Sequence, residues 1–321
     1  MRLRTVVSMA ALAALLAPAL PAWNHVGHKA VAGLAYQRLT KKARARVDAL
    51  IRRHPDYALF TQGAPSDEKE KARYVFMQSA YWPDTIKGDP RFYDEAKSDA
   101  APTPVLPGFS DMKQRRNWHY INVAFSNDGT PVPDPPPVNV LSQLKMILAA
   151  VGGDAPAPGS VPAEQDPVYL LPWLLHLAGD IHQPLHCATR YKKDQVNPAN
   201  GKPWSDLGGN TVNVVGAFNL HAFWDDALGI ADTPTFIDGL IKFLDRMPKE
   251  KPPTTDPGVW VQEGFKLSKE VVYSFGETGG SREDPIRFEE TYVMRAKDLA
   301  RKRAALAGHR IAVILNRTFD R

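Results

Sequence analysis

The segment PVYLLPWLLHLAGDIHQPLH, residues 167–186, decides how the rest of the chain reads. Its opening half is almost wholly apolar, which predicts a helix buried on every side. Yet the segment also carries His176, Asp180, His182 and His186, groups that are costly to bury unless something pairs with them. His176 and Asp180 are four apart, so an α-helix puts both side chains on one face, a turn apart, within reach of a single ion. His186 cannot share that face. It lies about 280° further round a regular helix, and Pro184 should stop the helix before it. His186 therefore leaves on a turn, close to the first pair and pointing elsewhere, which suggests two neighbouring metal positions rather than one.

A second pair follows the same rule. In NLHAFWDD, residues 219–226, His221 and Asp225 stand at the same spacing, in a predicted helix after the Gly208-Gly209-Asn210 turn. One such pair alone reads better as a buried histidine bonded to its own carboxylate, since short motifs match by accident; two are harder to dismiss. Upstream, His119 sits in RRNWHYIN, where a strand would hold its imidazole rigidly. Asp84 lies in SAYWPDTIK just past a helix, and His28 falls five residues after Trp23 in WNHVGHKAVAGLAY. Imidazoles and carboxylates are the ligands zinc takes when thiolates are lacking, and the lone Cys187 excludes a cysteine-rich site. His25, His54, His182 and His309 are assigned surface or supporting roles.

Bulk properties set the frame. A chain of 321 residues with 44% apolar content can bury a substantial core, which excludes disorder as the default. The first 22 residues, MRLRTVVSMAALAALLAPALPA, run from arginines through an apolar stretch to small residues, the layout of a secretory signal peptide rather than a membrane span. Cleavage fits either Ala17-Pro18-Ala19 or Ala22. Without residues 1–22 the chain has 38 basic and 35 acidic residues, a net charge of +3 compatible with an anionic substrate. An exported protein, periplasmic or secreted, that lacks a disulfide relies on core packing or metal for its stability.

Helical periodicity predicts helices over 26–39, 41–53, 67–81, 138–151, 167–183, 232–247, 259–274 and 285–316. Alternation over 118–125 and 210–218 predicts one small hairpin or ribbon. Proline-rich stretches at 101–108, 130–138, 155–167 and 249–258 read as surface loops within one domain. The expected fold is mainly α, a single compact helical domain covering residues 23–321.

Taken in order, Trp-x4-His after a signal peptide, the Trp-x-Asp box, WHYIN, His-x3-Asp-x5-His, GGN and His-x3-Asp resemble the zinc-dependent nucleases of the S-one/P-one type, over residues 23 to 316. That resemblance implies three zinc ions on a helical fold of the kind shared with zinc-dependent phospholipase C. Asp84, His119, His176 and Asp180 would hold one. The free amine and carbonyl of Trp23, with His28 and a bridging Asp180, would hold the second. His186, His221 and Asp225 would hold the third. It also requires cleavage after Ala22. The implied activity is endonucleolytic hydrolysis of single-stranded DNA and RNA to 5′-phosphate products by a zinc-activated water that Asp84 helps to orient, together with loss of phosphate from 3′-nucleotides. Tyr120 matches a base-stacking position, and Lys87 and Asn122 match places that contact phosphate and base. Lys87 stands where relatives often carry arginine, Asn122 where some carry aspartate, and Asp226 where asparagine is frequent, so phosphate contacts and base preference depart from the common pattern. The chain is expected to act as a monomer off the membrane. A zinc-dependent phospholipase C would typically close the third position with glutamate, where this chain has Asp225. A non-catalytic zinc-binding protein would close each position with four protein ligands, and the third has only three.

Overall fold

A computed structural model of the chain describes residues 23–97, 104–153, 160–197, 201–248, 253–276 and 279–320; the expected signal peptide, residues 1–22, lies outside them. In chain order, α1 (His25–Gln37), α2 (Lys41–Arg52), the short α3 (Tyr57–Phe60), α4 (Glu68–Ser79) and the short α5 (Trp82–Thr85) lead to strand β1 (Val123–Ser126). After them come α6 (Val140–Ala150), α7 (Pro167–Asp180), β2 (Ala188–Val196), β3 (Pro203–Ser205), α8 (Leu220–Asp225), α9 (Pro234–Asp245), α10 (Pro257–Leu267) and the long α11 (Glu290–Phe319). The fold is mainly α, and every segment with helical periodicity contains a helix. Asn24, Thr40, Asp67, Asn139, Asp166, Asn219, Thr233 and Asp256 begin helices by accepting backbone N–H bonds that the first turn leaves unpaired.

α7 is the axis of the molecule. All of its residues are buried, and α1, α2, α5, α6 and α11 pack against it. Its apolar surface is therefore covered on every side, as its unbroken run of large side chains requires. α1 packs in turn on α4, α9 and α11. A second apolar cluster, with Leu185, Leu220, Trp224, Val272 and Tyr273, sits beyond the carboxyl end of α7. The polar end of α7 thus falls at the junction of the two apolar clusters.

The strands differ from the sequence reading. β1 pairs in parallel with β2, Val123 opposite Ala188, and β2 pairs antiparallel with β3, so the hairpin is β2–β3. Residues 118–122 do not belong to the sheet: Arg116–Trp118 form a 3-10 turn, and the strand begins only at Val123. Segment 210–218 contributes a single bridge, Val214 to Ile286, in place of a strand. Alternating apolar residues were there, but strand pairing requires a partner edge, and the partner of β1 is a segment some sixty-five residues away in sequence. α7 also ends at Asp180, earlier than the expected 183, and the chain goes on through a 3-10 turn at Pro184–His186.

Candidate metal centre

Each candidate ligand is carried by a different piece of this scaffold. His28 lies on the first turns of α1, Asp84 on α5, His176 and Asp180 on α7, His186 on the 3-10 turn after it, and His221 and Asp225 on α8. His119 closes the 3-10 turn Arg116–Trp118 in helical conformation, so a turn and not a strand aims its ring. The parallel ladder holds it in place: Ile121 N–H donates to the His186 carbonyl (2.9 Å), and His186 Nδ1–H donates to the His119 carbonyl (2.6 Å).

Three buried groups result: His28, Asp84 and His176; His119, His176 and Asp180; His186, His221 and Asp225. In each, the ligating atoms lie within 4.8 Å of one another. The first two share His176, so five side chains form one continuous cluster. His28 stacks on His176, with ring centroids 3.9 Å apart. The Asp180 carboxylate faces two ways: Oδ1 lies 3.2 Å from His28 Nε2, while Oδ2 lies 2.9 Å from His119 Nδ1 and 3.3 Å from His176 Nε2. Asp84 does likewise, with Oδ1 3.5 Å from His176 Nε2 and Oδ2 4.0 Å from His28 Nε2.

The third group gives the clearest chemical signature. His186 Nδ1 bonds the His119 carbonyl, and His221 Nδ1 bonds the Gly208 carbonyl at 2.7 Å. A carbonyl accepts only, so both Nδ1 atoms carry their protons and both Nε2 atoms present lone pairs. Those two Nε2 atoms face each other 3.0 Å apart, with Asp225 Oδ2 3.6 Å from His221. Two lone pairs and a carboxylate oxygen at that separation repel unless a cation lies between them. Asp84 Oδ2 and Asp225 Oδ2 are likewise buried without a hydrogen-bond donor. The donor set and its tautomers fit zinc.

Electrostatics point the same way. Burial lowers His28 to about 4, His119 to about 3 and His221 to about 3, and lowers His186 as well, so these rings stay neutral and free to ligate. Burial also acts to lower His176, but Asp180 and Asp84 outweigh it and raise this ring to about 9: the two carboxylates demand a positive charge between them. Against the opposing effect of burial, Lys87 and His176 hold the Asp84 carboxyl below its usual range. Burial pushes Asp225 well up, although Gln183 Nε2–H donates to its Oδ1 at 2.8 Å.

Of the proposed substrate contacts, Lys87 is ion-paired to Asp84 Oδ1 at 2.6 Å, with its side chain 9% exposed. Tyr120 and Asn122 are half-buried on either side of Ile121; Asn122 takes the left-handed backbone region, which asparagine tolerates better than most residues. Of the histidines assigned surface or supporting roles, His25 is half-buried, while His54, His182 and His309 lie in the interior.

Several supporting roles escaped the sequence reading, including that of Gly208, which it names only as part of a turn. Gln183 is fully buried and joins the 181–185 link to Asp225. Gly208 accepts from His221 and sits so close that a Cβ there would come within 2.9 Å of the Leu185 carbonyl. Asn24 ties the amino-terminal segment to α8, donating to Asp226 Oδ1 and to the Gly229 carbonyl, both at 2.8 Å. Gln183 had a visible signal, being as polar as the histidines around it; backbone acceptors have none.

Comparison with known proteins agrees with this architecture. The family model described as S1/P1 Nuclease matches residues 23–320. Endonuclease 2 of Arabidopsis thaliana is 27% identical over 163 residues, a stretch covering 45% of this chain and 49% of that protein. The chain therefore spans about half the length of the curated relative it matches.

Proposed function

Because this chain belongs to the S1/P1 nuclease family, we propose that it hydrolyses phosphodiester bonds of single-stranded DNA and RNA to 5′-phosphate products and removes phosphate from 3′-nucleotides. The observation that carries this reading is the facing pair of His186 and His221 Nε2 lone pairs beside Asp225, next to a cluster in which Asp180 presents one oxygen to each side.

Asp84, His119, His176 and Asp180 would hold one zinc; His28 and Asp180, with the Trp23 amine and carbonyl, a second; His186, His221 and Asp225 a third. The family match begins at Trp23, in keeping with removal of residues 1–22 on export and release of that amine. When bound, zinc supplies Lewis-acid charge and a water whose pKa falls from ~15.7 to about 7. Asp84, whose buried Oδ2 no donor holds, would help to orient the nucleophile. Lys87 brings a point charge to the phosphate, and Tyr120 offers a ring face to a base drawn out of its stack. A duplex keeps its bases and phosphates stacked away from ligands as buried as these, which favours single strands. Among the described residues no helix is long and apolar enough to cross a membrane.

The test is zinc content together with cleavage of a single-stranded oligonucleotide, the matching duplex and a 3′-mononucleotide, before and after chelation. Three zincs per chain, single-strand cleavage and loss of both activities on chelation are expected. Activity that survives complete zinc removal overturns the mechanism, and equal rates on the duplex overturn the strand preference.

A further inference from the structure

The five residues Ile181–Leu185 join Asp180 of the shared cluster to His186 of the third group, so their course sets the distance between the two. They are held from outside at successive positions. The Cys187 thiol donates to the Ile181 carbonyl at 3.3 Å, Arg303 Nε–H to the His182 carbonyl at 3.2 Å, and the Ser268 hydroxyl to the Pro184 carbonyl at 2.7 Å. His182 Nδ1–H is spent on the Ala178 carbonyl at 2.7 Å, so its Nε2 accepts from Arg310 Nη1 at 2.9 Å. One carboxylate, Glu263 on α10, then binds both guanidiniums of α11: Arg303 at 2.7 Å, and Arg310 through two nitrogens at 2.8 and 2.7 Å.

This is a costly arrangement if stability were its only use. Arg310 is 0% and Arg303 4% exposed, with the Glu263 side chain 28% exposed, and a largely buried ion pair often contributes no more than an apolar cluster of the same size. Two cations against one anion is less favourable still. What the network does secure is direction, because a guanidinium fork fixes its acceptors in a plane. Its acceptors here are the His182 carbonyl and ring, midway between the two ligand groups.

We propose that Glu263, Arg303 and Arg310 are positioning residues that set the offset of His186 from the His176/Asp180 cluster, and thereby the affinity of the third zinc. The inference rests on the three-zinc reading above. None of the three side chains is itself a candidate ligand; they act through His182 and the carbonyl beside it.

The experiment is an equilibrium zinc titration of the mature protein in chelator-buffered zinc, read as bound metal per chain, for wild type, Glu263→Gln, Arg310→Lys and Ser268→Ala. Glu263→Gln weakens one of three binding steps by about 10–100-fold, the usual effect of losing a partner that orients a ligand, and leaves the other two in place. Arg310→Lys keeps the charge but not the fork, and shifts the same step. Excess zinc restores kcat in both. Ser268→Ala removes the hydroxyl that bonds the Pro184 carbonyl and, within its own helical turn, the Gly264 carbonyl, and moves that step by less, so it carries the test if the charge variants do not fold. Parallel weakening of all three steps marks a merely structural network and overturns the proposal, as does an unchanged titration. A wild-type chain that binds fewer than three zincs refutes the proposed function instead, a result distinct from either.

Discussion

Replacing Asp180 by asparagine tests the centre most directly, because it removes the charge and keeps the shape. The residue is fully buried, and its two oxygens face His28 on one side and His119 and His176 on the other, at 2.9 to 3.3 Å. On the proposed three-zinc reading, loss of this charge weakens both zinc positions that Asp180 would serve. Losing even an outer hydrogen-bond partner costs a metal position about 10–100-fold, so at least ~1.4 to 2.7 kcal/mol is expected at each. Consider free zinc held tenfold above the wild-type dissociation constant. Each wild-type position is then about nine-tenths filled, whereas each variant position falls to between about one half and one tenth. Both are filled together in at most about a quarter to a hundredth of the molecules, and the rate should fall in proportion. The side chains of the third group share no hydrogen bond or ion pair with Asp180, whose charge reaches them only through space, so a proposed third ion should be retained. Metal analysis after gel filtration in buffered zinc, paired with oligonucleotide cleavage, reads both quantities. Three zincs and full activity in Asp180→Asn would show that this carboxylate does not bridge.

Other expectations follow from the same geometry. Lys87→Met should lower kcat/KM by about 10–100-fold, the worth of one charge-assisted hydrogen bond, while Lys87→Arg keeps most of the rate; equal kinetics in all three proteins would remove Lys87 from the phosphate contact. Tyr120→Ala should raise KM for oligonucleotides, at about 1–3 kcal/mol of lost stacking, with little change on an ester that has no base; an unaltered KM returns Tyr120 to a purely structural part. His54 provides a pH signature away from the centre. Burial among Phe60, Trp82 and Phe109 lowers its ring from 6.5 to about 4, with Asp56 opposing. The unfolded chain therefore takes up this proton first: the contribution is intact above about pH 6.5 and lost as pH falls toward 4, about 3 kcal/mol in all. Denaturant unfolding between those pH values should show a shallower slope in His54→Asn than in wild type; identical slopes would contradict it.

The sequence by itself determined the helical class and most of the candidate ligands that the fold brings together, and the reasons are local. Apolar spacing marks a helix because its turn is regular, and His176/Asp180 and His221/Asp225 are legible as pairs because four residues on a helix span one turn. Pro184 marked the departure of His186 for an equally local reason: its ring cannot continue a helix. Tertiary structure alone decided the rest. The alternation around His119 looked like a strand, yet a 3-10 turn aims the ring, because β1 can pair only where β2 arrives from sixty-five residues further along the chain. The proton positions of His186 and His221 depend on the carbonyls of His119 and Gly208, groups every residue carries and no spacing reveals. The same holds for Glu263, Arg303 and Arg310, which no spacing in the sequence singles out and which the packing of α10 and α11 brings together beside His182. Periodicity encodes which face of one element is apolar; which residues meet across elements is settled only when those faces pack.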